Sequence, residues 1–531
     1  MTSSRRDFLR LGLAAGACLC VPFGLAGCAR RGGVGSGANV TTEGSAGNLL
    51  RSTAKLPEPF HVPLPVPPVL KPVLSDGNGD HFEITQKAAE AEILPGTRTE
   101  IWGYNGIFPG PTIESRRGRR TVVTHRNELP VPVVVHLHGG KTPAEHDGYP
   151  TDMIAPVGGW TGGDQSEHHA HGMHKGSKQY SYPIDQPAAT LWYHDHRMDF
   201  TGPQVYKGLA GFHLIRDDEE ERLGLPYGER DIPLMICDRA FAEDGSFDYP
   251  AVDPTLRDTP GTKGDFISGV LGDCILVNGA PWPIFEVTNT RYRFRILNGS
   301  NARRYELLLD PKPNGGPSFV QIGSDLGLLP QPIDHDRIAI SQAERFDVVI
   351  DFSKYAVGDR ITLKNNLGRD GTENVMQFVV ARMGTEDSHV PSRLVDFQPL
   401  RPSDASVRRE LKFARGGASA HGMQLWTING KPFDHHRIDA DPKLGAVELW
   451  KIRAENVQHP FHLHLAAFQV VSIGGNDPGP HNHGWKDTVS LDNGDFAELL
   501  VKFDGFKGMY VFHCHNLEHE DMMMMGNFQV T

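Results

Sequence analysis

The 531-residue chain has little cysteine, no excess of positive charge and no long apolar run. Cysteine occurs six times, and three of the six (Cys18, Cys20, Cys28) fall within the first 28 residues. Only Cys237, Cys274 and Cys514 remain for the body, which excludes a scaffold stapled by many disulfides. Cys237 and Cys274 could pair in an exported chain or sit as two small buried hydrophobes; both readings stay open. Lys and Arg total 53 against 65 Asp and Glu, a net charge of −12 that speaks against nucleic acid as a partner. The apolar run near the N-terminus, rich in Gly and Ala and broken by Pro22, is too short and too weakly apolar to span a bilayer. Long amphipathic helices are missing as well. Short Val/Ile/Thr/Phe-rich runs at 120–129, 292–297, 346–352 and 447–455 alternate with Gly, Pro and Asn turns, the pattern of an all-β chain. The charged segment 217–222 reads as a brief helix or a solvated linker.

Histidine is what the chain has in quantity. Chance placement of 26 His would give about one His-x-His pair, yet six occur. Four stand out: VVVHLHGG (His136, His138), LWYHDH (His194, His196), PFHLHL (His462, His464) and YVFHCH (His513, His515). On a strand, residues i and i+2 share a face about 7 Å apart, so such strands can aim many imidazoles at one cavity. Imidazole is the commonest protein metal ligand. The fourth pair suggests which metal. Cys514 lies between His513 and His515 and points to the opposite face; His519 and Met524 follow it, and His459 precedes the third pair. A thiolate, two imidazoles and a soft thioether (Cys514, His459, His519, Met524) form a blue-copper set. Zinc prefers closed tetrahedra and has little use for a thioether. The other pairs, His168 to His174 and His481 with His483, are flanked by Gly or Pro and read as exposed loops, with weak copper capture as a secondary role.

These motifs, in this order and spacing, resemble a three-domain multicopper oxidase, nearest to the bacterial spore-coat laccase and bilirubin oxidase branch. The likeness runs from about residue 64 to the C-terminus and includes WGYNGIFPGPTIE at 102–114, ILVNG at 275–279, YRFRILNGSN at 292–301, QIGSDLGLLP at 321–330, AERFDVVIDF at 343–352 and GWKDT at 484–488. It implies three cupredoxin-like Greek-key β-sandwich domains and four copper ions. The blue site would take His459, Cys514, His519 and Met524. One vertex of a trinuclear cluster would take His136 and His462. A coupled copper pair would take His138, His194, His196, His464, His513 and His515. Electrons would pass through Cys514 from a donor to O2, with Glu520 and Asp147 at positions matching acids near the O2 site. For Glu520 the alternative is a solvated carboxylate, and for Asp147 a plain Asp-Gly turn.

Tyr-Asn105-Gly106, Val-Asn278-Gly279 and Ile-Asn429-Gly430 form a weak repeat at domain-sized spacing. The expected division is a twin-arginine signal with a lipobox-like LAGC over 1–28 and a flexible tether over 29–60. Domain 1 follows over 61–225, a metal-free spacer over 226–395 and domain 3 over 396–531. The N-terminus implies export to the periplasm or cell envelope, with membrane attachment through a lipidated Cys28, or else an ordinary cleaved signal. A monomer is expected. The donors implied are phenols, aromatic amines or bilirubin. The alternatives are a metallo-oxidase of Cu(I), Mn(II) or Fe(II), and a non-catalytic envelope copper-binding protein. A Met-rich insert over the blue site would favour metal oxidation, and Met is dense only at Met522 to Met525.

Overall fold

The computed structural model describes residues 41–42, 44–161, 173–420 and 423–531. The twin-arginine stretch, Cys28, His168, His169 and His171 lie outside the described residues. Among the described residues, no helix is long and apolar enough to cross a membrane.

The chain is all-β and builds three sandwiches in succession. In the first, Ser177–Tyr182, Thr121–Asn127, Gly79–Ala91 and Leu74–Asp76 form one sheet. Gly110–Arg116, Ala210–Arg216, Ala189–Asp195 and Val135–His138 form the other. The middle sandwich packs the sheet around Asp231–Phe241, Arg291–Asn298 and Arg345–Asp351 against one containing Tyr305–Asp310, Arg360–Asn365 and Asn374–Arg382. The third packs Val407–Ala420, Val447–Ala454 and Phe496–Lys502 against Thr488–Leu491, His459–Leu463, Gly508–Cys514 and Met525–Val530.

Strand alternation decides what each sandwich keeps inside. Val135, Leu137, Leu191 and Tyr193 enter the first core, so His136, His138 and His194 are turned outward. In the third, Phe461, Leu463, Tyr510, Phe512 and Cys514 enter the core, so His462, His464, His513 and His515 point the other way. The histidine faces of the first and third sandwiches meet and are buried against each other. In the middle sandwich the strand equivalent to the one carrying His-x-His is Tyr305–Asp310, and no metal-like cluster lies there among the described residues.

The three Asn-Gly repeats have a common physical cause. Asn105, Asn278 and Asn429 have φ of 56°, 50° and 52°, and each following glycine is also left-handed, as tight hairpin turns demand. Each Asn Oδ1 accepts a backbone N–H from a neighbouring strand: Thr85, Met235 and Lys412 respectively.

One expectation needs correction, and one open choice is decided. Residues 44–60 are not a loose tether. Ser45 and Ala46 are buried, Asn48–Leu50 pairs in parallel with Val270–Gly272, and Ala46 joins the third core. The segment docks because its backbone finds a strand edge and Ala46 fills an apolar gap. Segment 217–222 contains a helix, Asp218–Glu221, because the Asp217 carboxylate accepts from Glu220 N as an N-cap. Cys237 and Cys274 are free and buried; the register sets Cys237 opposite Leu276 and Cys274 opposite Arg239.

Candidate metal centre

Two groups of donors are buried inside the third sandwich and at its boundary with the first. The outer group is His459, Cys514 and His519. The Nδ1 atoms of His459 and His519 lie 3.4 and 3.5 Å from Cys514 Sγ and 3.1 Å from each other. Both rings are held from behind: His459 Nε2–H donates to Glu455 O at 3.1 Å and His519 Nε2–H to Ser268 O at 3.1 Å. The tautomers follow from those carbonyl acceptors and leave both Nδ1 lone pairs facing the thiol. Met524 is fully buried in the same apolar cluster as Cys514, its N–H bonded to His519 O and its carbonyl to Cys514 N. Trp426 stacks on His519 at 3.8 Å and 30°, and its Nε1–H donates to Ile267 O.

The inner groups come from all four His-x-His strands. Donor atoms of His136, His138 and His462 lie within 4.8 Å of one another, as do those of His138, His194 and His515, and those of His196, His464 and His513. Two ring pairs cross the domain boundary face to face at 3.7 Å: His136 on His464 and His138 on His462. His513 and His515 belong to different inner groups, and both are covalent neighbours of Cys514. The structure thus gathers the ten histidines and Cys514 into these groups, with Met524 in the apolar cluster that holds Cys514.

The donor set fits copper. His136, His194 and His462 each leave Nε2 buried without a hydrogen-bond partner, and His138 leaves Nδ1. Unpaired polar atoms in a dry interior are costly, and a cation in the shared space would satisfy them. Burial pushes the imidazoles down, His459 and His196 to about 4 and His194 to about 3, so they are neutral and able to ligate at neutral pH. Two nitrogens, one thiolate and a thioether suit the outer position to copper.

Glu520 is no solvated carboxylate. It is buried, with Oε2 at 3.1 Å from His513 Nδ1, Oε1 at 3.4 Å from His196 Nδ1, and the Thr201 hydroxyl donating to Oε1 at 2.7 Å. Burial pushes its carboxyl up, but the rings of His196 and His513 win and hold it well below the usual range. Asp147 follows the short helical turn Ala144–His146 and precedes Gly148 at φ 80°, so it is an Asp-Gly turn. It also holds two rings: its carbonyl accepts from His136 Nδ1 at 2.6 Å and its carboxylate from His464 Nδ1 at 2.7 Å. Burial raises its carboxyl well above the usual value.

Three supports were not foreseen. Asn516 caps the turn Leu517–Asp521, and its Nδ2 donates to Ala46 O and Ser268 O, tying the Cys514–His519 loop to the N-terminal strand and the middle sandwich. Asp487 accepts from His138 Nε2 at 3.1 Å. Met153, Met173, Met198, Met509, Met523 and Met525 gather with Val134 and Val511, whose carbonyls accept from the backbone N–H groups of His196 and His464. The loop histidines are also more constrained than expected. His174 contacts Asp152 at 2.8 Å, and His481 stacks on His335 at 4.6 Å.

Two family models, each described as Multicopper oxidase, match residues 404–531 and 85–220. A laccase of Bacillus subtilis (strain 168) is 36% identical over 526 residues, covering 89% of this chain and 99% of its own. A bilirubin oxidase of Albifimbria verrucaria is 36% identical over 92% of this chain and 85% of its own. The crystal structure of a laccase from Pediococcus acidilactici Pa5930 superposes with a TM-score of 0.76 at 33% identity, covering 91% of this chain and 96% of that one.

Proposed function

Because the chain belongs to the multicopper oxidase family, and is thus a laccase-like copper oxidoreductase with O2 as acceptor, we propose a specific division of its ligands and donors. His459, Cys514, His519 and Met524 hold one copper. His136 with His462, His138 with His194 and His515, and His196 with His464 and His513 hold three more. The donors are small phenols, aromatic amines or bilirubin-like molecules. The observation that carries this reading is the position of Cys514, whose Sγ faces the outer rings while its two chain neighbours supply the inner groups.

Copper bound at these groups would supply one-electron redox chemistry, four electrons and four protons converting one O2 to two waters. The chain's own part is to connect, orient and protonate. Covalent bonds link Cys514 Sγ to both His513 and His515, so no through-space gap separates the outer thiolate from the inner ligands. The carbonyls of Glu455, Ser268, Asp147 and Asp487 each fix one ring by taking its outward N–H. Glu520 is an ionised carboxylate 3.1 Å from the His513 ring and 3.4 Å from the His196 ring; by taking up a proton during turnover and releasing it, it can protonate the buried space without water entering it. Asp147 acts chiefly by orientation.

Metal-ion donors are the second reading. The thioether cluster supports it weakly, because it packs around Val134 and Val511, whose backbones bond to the inner ligands His196 and His464. Oxygen uptake separates the two: uptake with a phenolic donor and little with Cu(I) supports the proposal, and the reverse overturns it.

Export through the twin-arginine route, a lipid on Cys28, a periplasmic or envelope location and a monomeric state remain part of the proposal and rest on sequence alone. Incorporation of labelled palmitate that Cys28→Ser does not abolish would contradict the anchor.

A further inference from the structure

The middle sandwich provides no metal ligand among the described residues, yet its Arg345 reaches the inner groups. The guanidinium meets Asp487 two-pronged, Nη1 to Oδ1 at 2.8 Å and Nη2 to Oδ2 at 2.5 Å, with both side chains buried. The remaining donors are also used: Nε to Thr190 O at 3.0 Å, Nη1 to Ala343 O at 2.8 Å and Nη2 to Asp325 O at 2.9 Å. Thr190 lies on Ala189–Asp195, the strand that carries His194. One Arg side chain therefore joins all three sandwiches. A second pair backs it: Lys486, fully buried, lies 3.1 Å from both Asp325 and Glu344.

Asp487 in turn holds two rings from opposite domains. Its Oδ1 accepts from His138 Nε2 at 3.1 Å, and its backbone carbonyl accepts from His462 Nδ1 at 2.9 Å. The Thr488 hydroxyl donates to the same Oδ1 at 2.9 Å and lies 3.3 Å from both ring nitrogens. The consequence shows in which nitrogens are left over. His136, His194 and His462 present Nε2 to the metal space, but His138 presents Nδ1. His138 is turned over, and the acceptor on its far side is Asp487. Gly139 follows it at φ 84°, and a Cβ there would lie 2.9 Å from both Arg345 Nη2 and Asp487 Oδ2. The chain after His138 is thus shaped to let the ion pair pass. A carboxylate behind a ligating imidazole fixes its tautomer and orientation, and an Arg fork fixes the carboxylate.

We propose that the Arg345–Asp487 pair is a positioning clamp: through it the ligand-free middle domain fixes His138 with Nδ1 toward the metal space, holds it stacked on His462, and so governs copper occupancy of the inner groups. The proposal rests on the ligand division given above. A buried guanidinium without its carboxylate, or the reverse, leaves an uncompensated charge, so removing either partner releases the ring.

The test compares copper-loaded wild type, Arg345→Gln, Arg345→Lys and Asp487→Asn by copper content, visible absorption and EPR. In all variants the blue band and its EPR signal stay at wild-type values, because the outer group does not touch the clamp. In Arg345→Gln and Asp487→Asn the non-blue Cu(II) signal weakens or changes its hyperfine splitting, and a chelator strips the inner copper with about 10- to 100-fold lower affinity. Arg345→Lys, which keeps the charge but loses the fork, restores part of the occupancy. Should Arg345→Gln fail to fold and show no blue band, Arg345→Lys and Asp487→Asn decide by the same readings. Wild-type copper content, non-blue signal and chelator release in Arg345→Lys and Asp487→Asn overturn the clamp alone. A wild type holding blue copper and no other overturns the ligand division beneath it.

Discussion

Glu520→Gln is the substitution whose outcome follows most directly from the geometry. It keeps the side chain's size, and an amide oxygen can still accept from the Thr201 hydroxyl at 2.7 Å. It removes a negative charge 3.1 and 3.4 Å from the His513 and His196 rings, and with it the ability to take up and release a proton. A positioned acid–base group contributes about 10²- to 10⁴-fold, or about 3 to 5 kcal/mol of barrier. Only O2 reduction consumes protons at this place; donor oxidation at the outer group does not. Anaerobic bleaching of the blue band by a phenolic donor should therefore run at the wild-type rate, while reoxidation by O2 slows by about 10²- to 10⁴-fold. Stopped-flow absorption reads both halves. Unchanged reoxidation, or an equal slowing of the anaerobic half, would refute the proton-transfer role of Glu520.

Met524→Leu removes the soft thioether beside Cys514 and should raise the potential of the outer site, measured by redox titration of the blue band. Asn516→Ala loses the helix cap and both tethers to Ala46 O and Ser268 O; a loss of about 1 to 2 kcal/mol is expected by chemical denaturation, with a change in the blue EPR hyperfine splitting. The metal-free protein should lose stability as pH falls from about 6.5 toward 4. His459 and His196 are held at about 4 when folded against 6.5 when free, so the unfolded chain binds more protons across that window. Each contributes roughly 3 kcal/mol above it, and melting temperatures that stay flat from pH 7 to 4 would contradict this.

What could be read from the chain was local. A His-x-His pair on a strand fixes two side chains to one face whatever the rest of the fold does, so the ten imidazoles were legible. The Cys514–His519–Met524 loop is equally local, and Glu520 was found because it adjoins His519. What escaped depends on packing between sandwiches. Arg345 and Asp487 are 142 positions apart, and nothing in either segment's pattern announces a shared ion pair. The docking of residues 44–60 was hidden because Gly, Ser and Thr there look like a linker; a free strand edge at Val270–Gly272 decides otherwise. The thioether cluster draws on six methionines from separate segments, so only one part of it, Met523 and Met525, stood out as a run. For Cys237 and Cys274 the strand register had to be known before the two thiols could be read as free.

The central claim is that Cys514 bonds the outer copper while its neighbours bond the inner ones. Visible and EPR spectra of copper-loaded wild type beside Cys514→Ser test it most directly. The wild type should show an intense blue band with a small-hyperfine Cu(II) signal, and Cys514→Ser should lose both while keeping the non-blue copper. A colourless wild type, or a blue band that survives the substitution, would contradict the account.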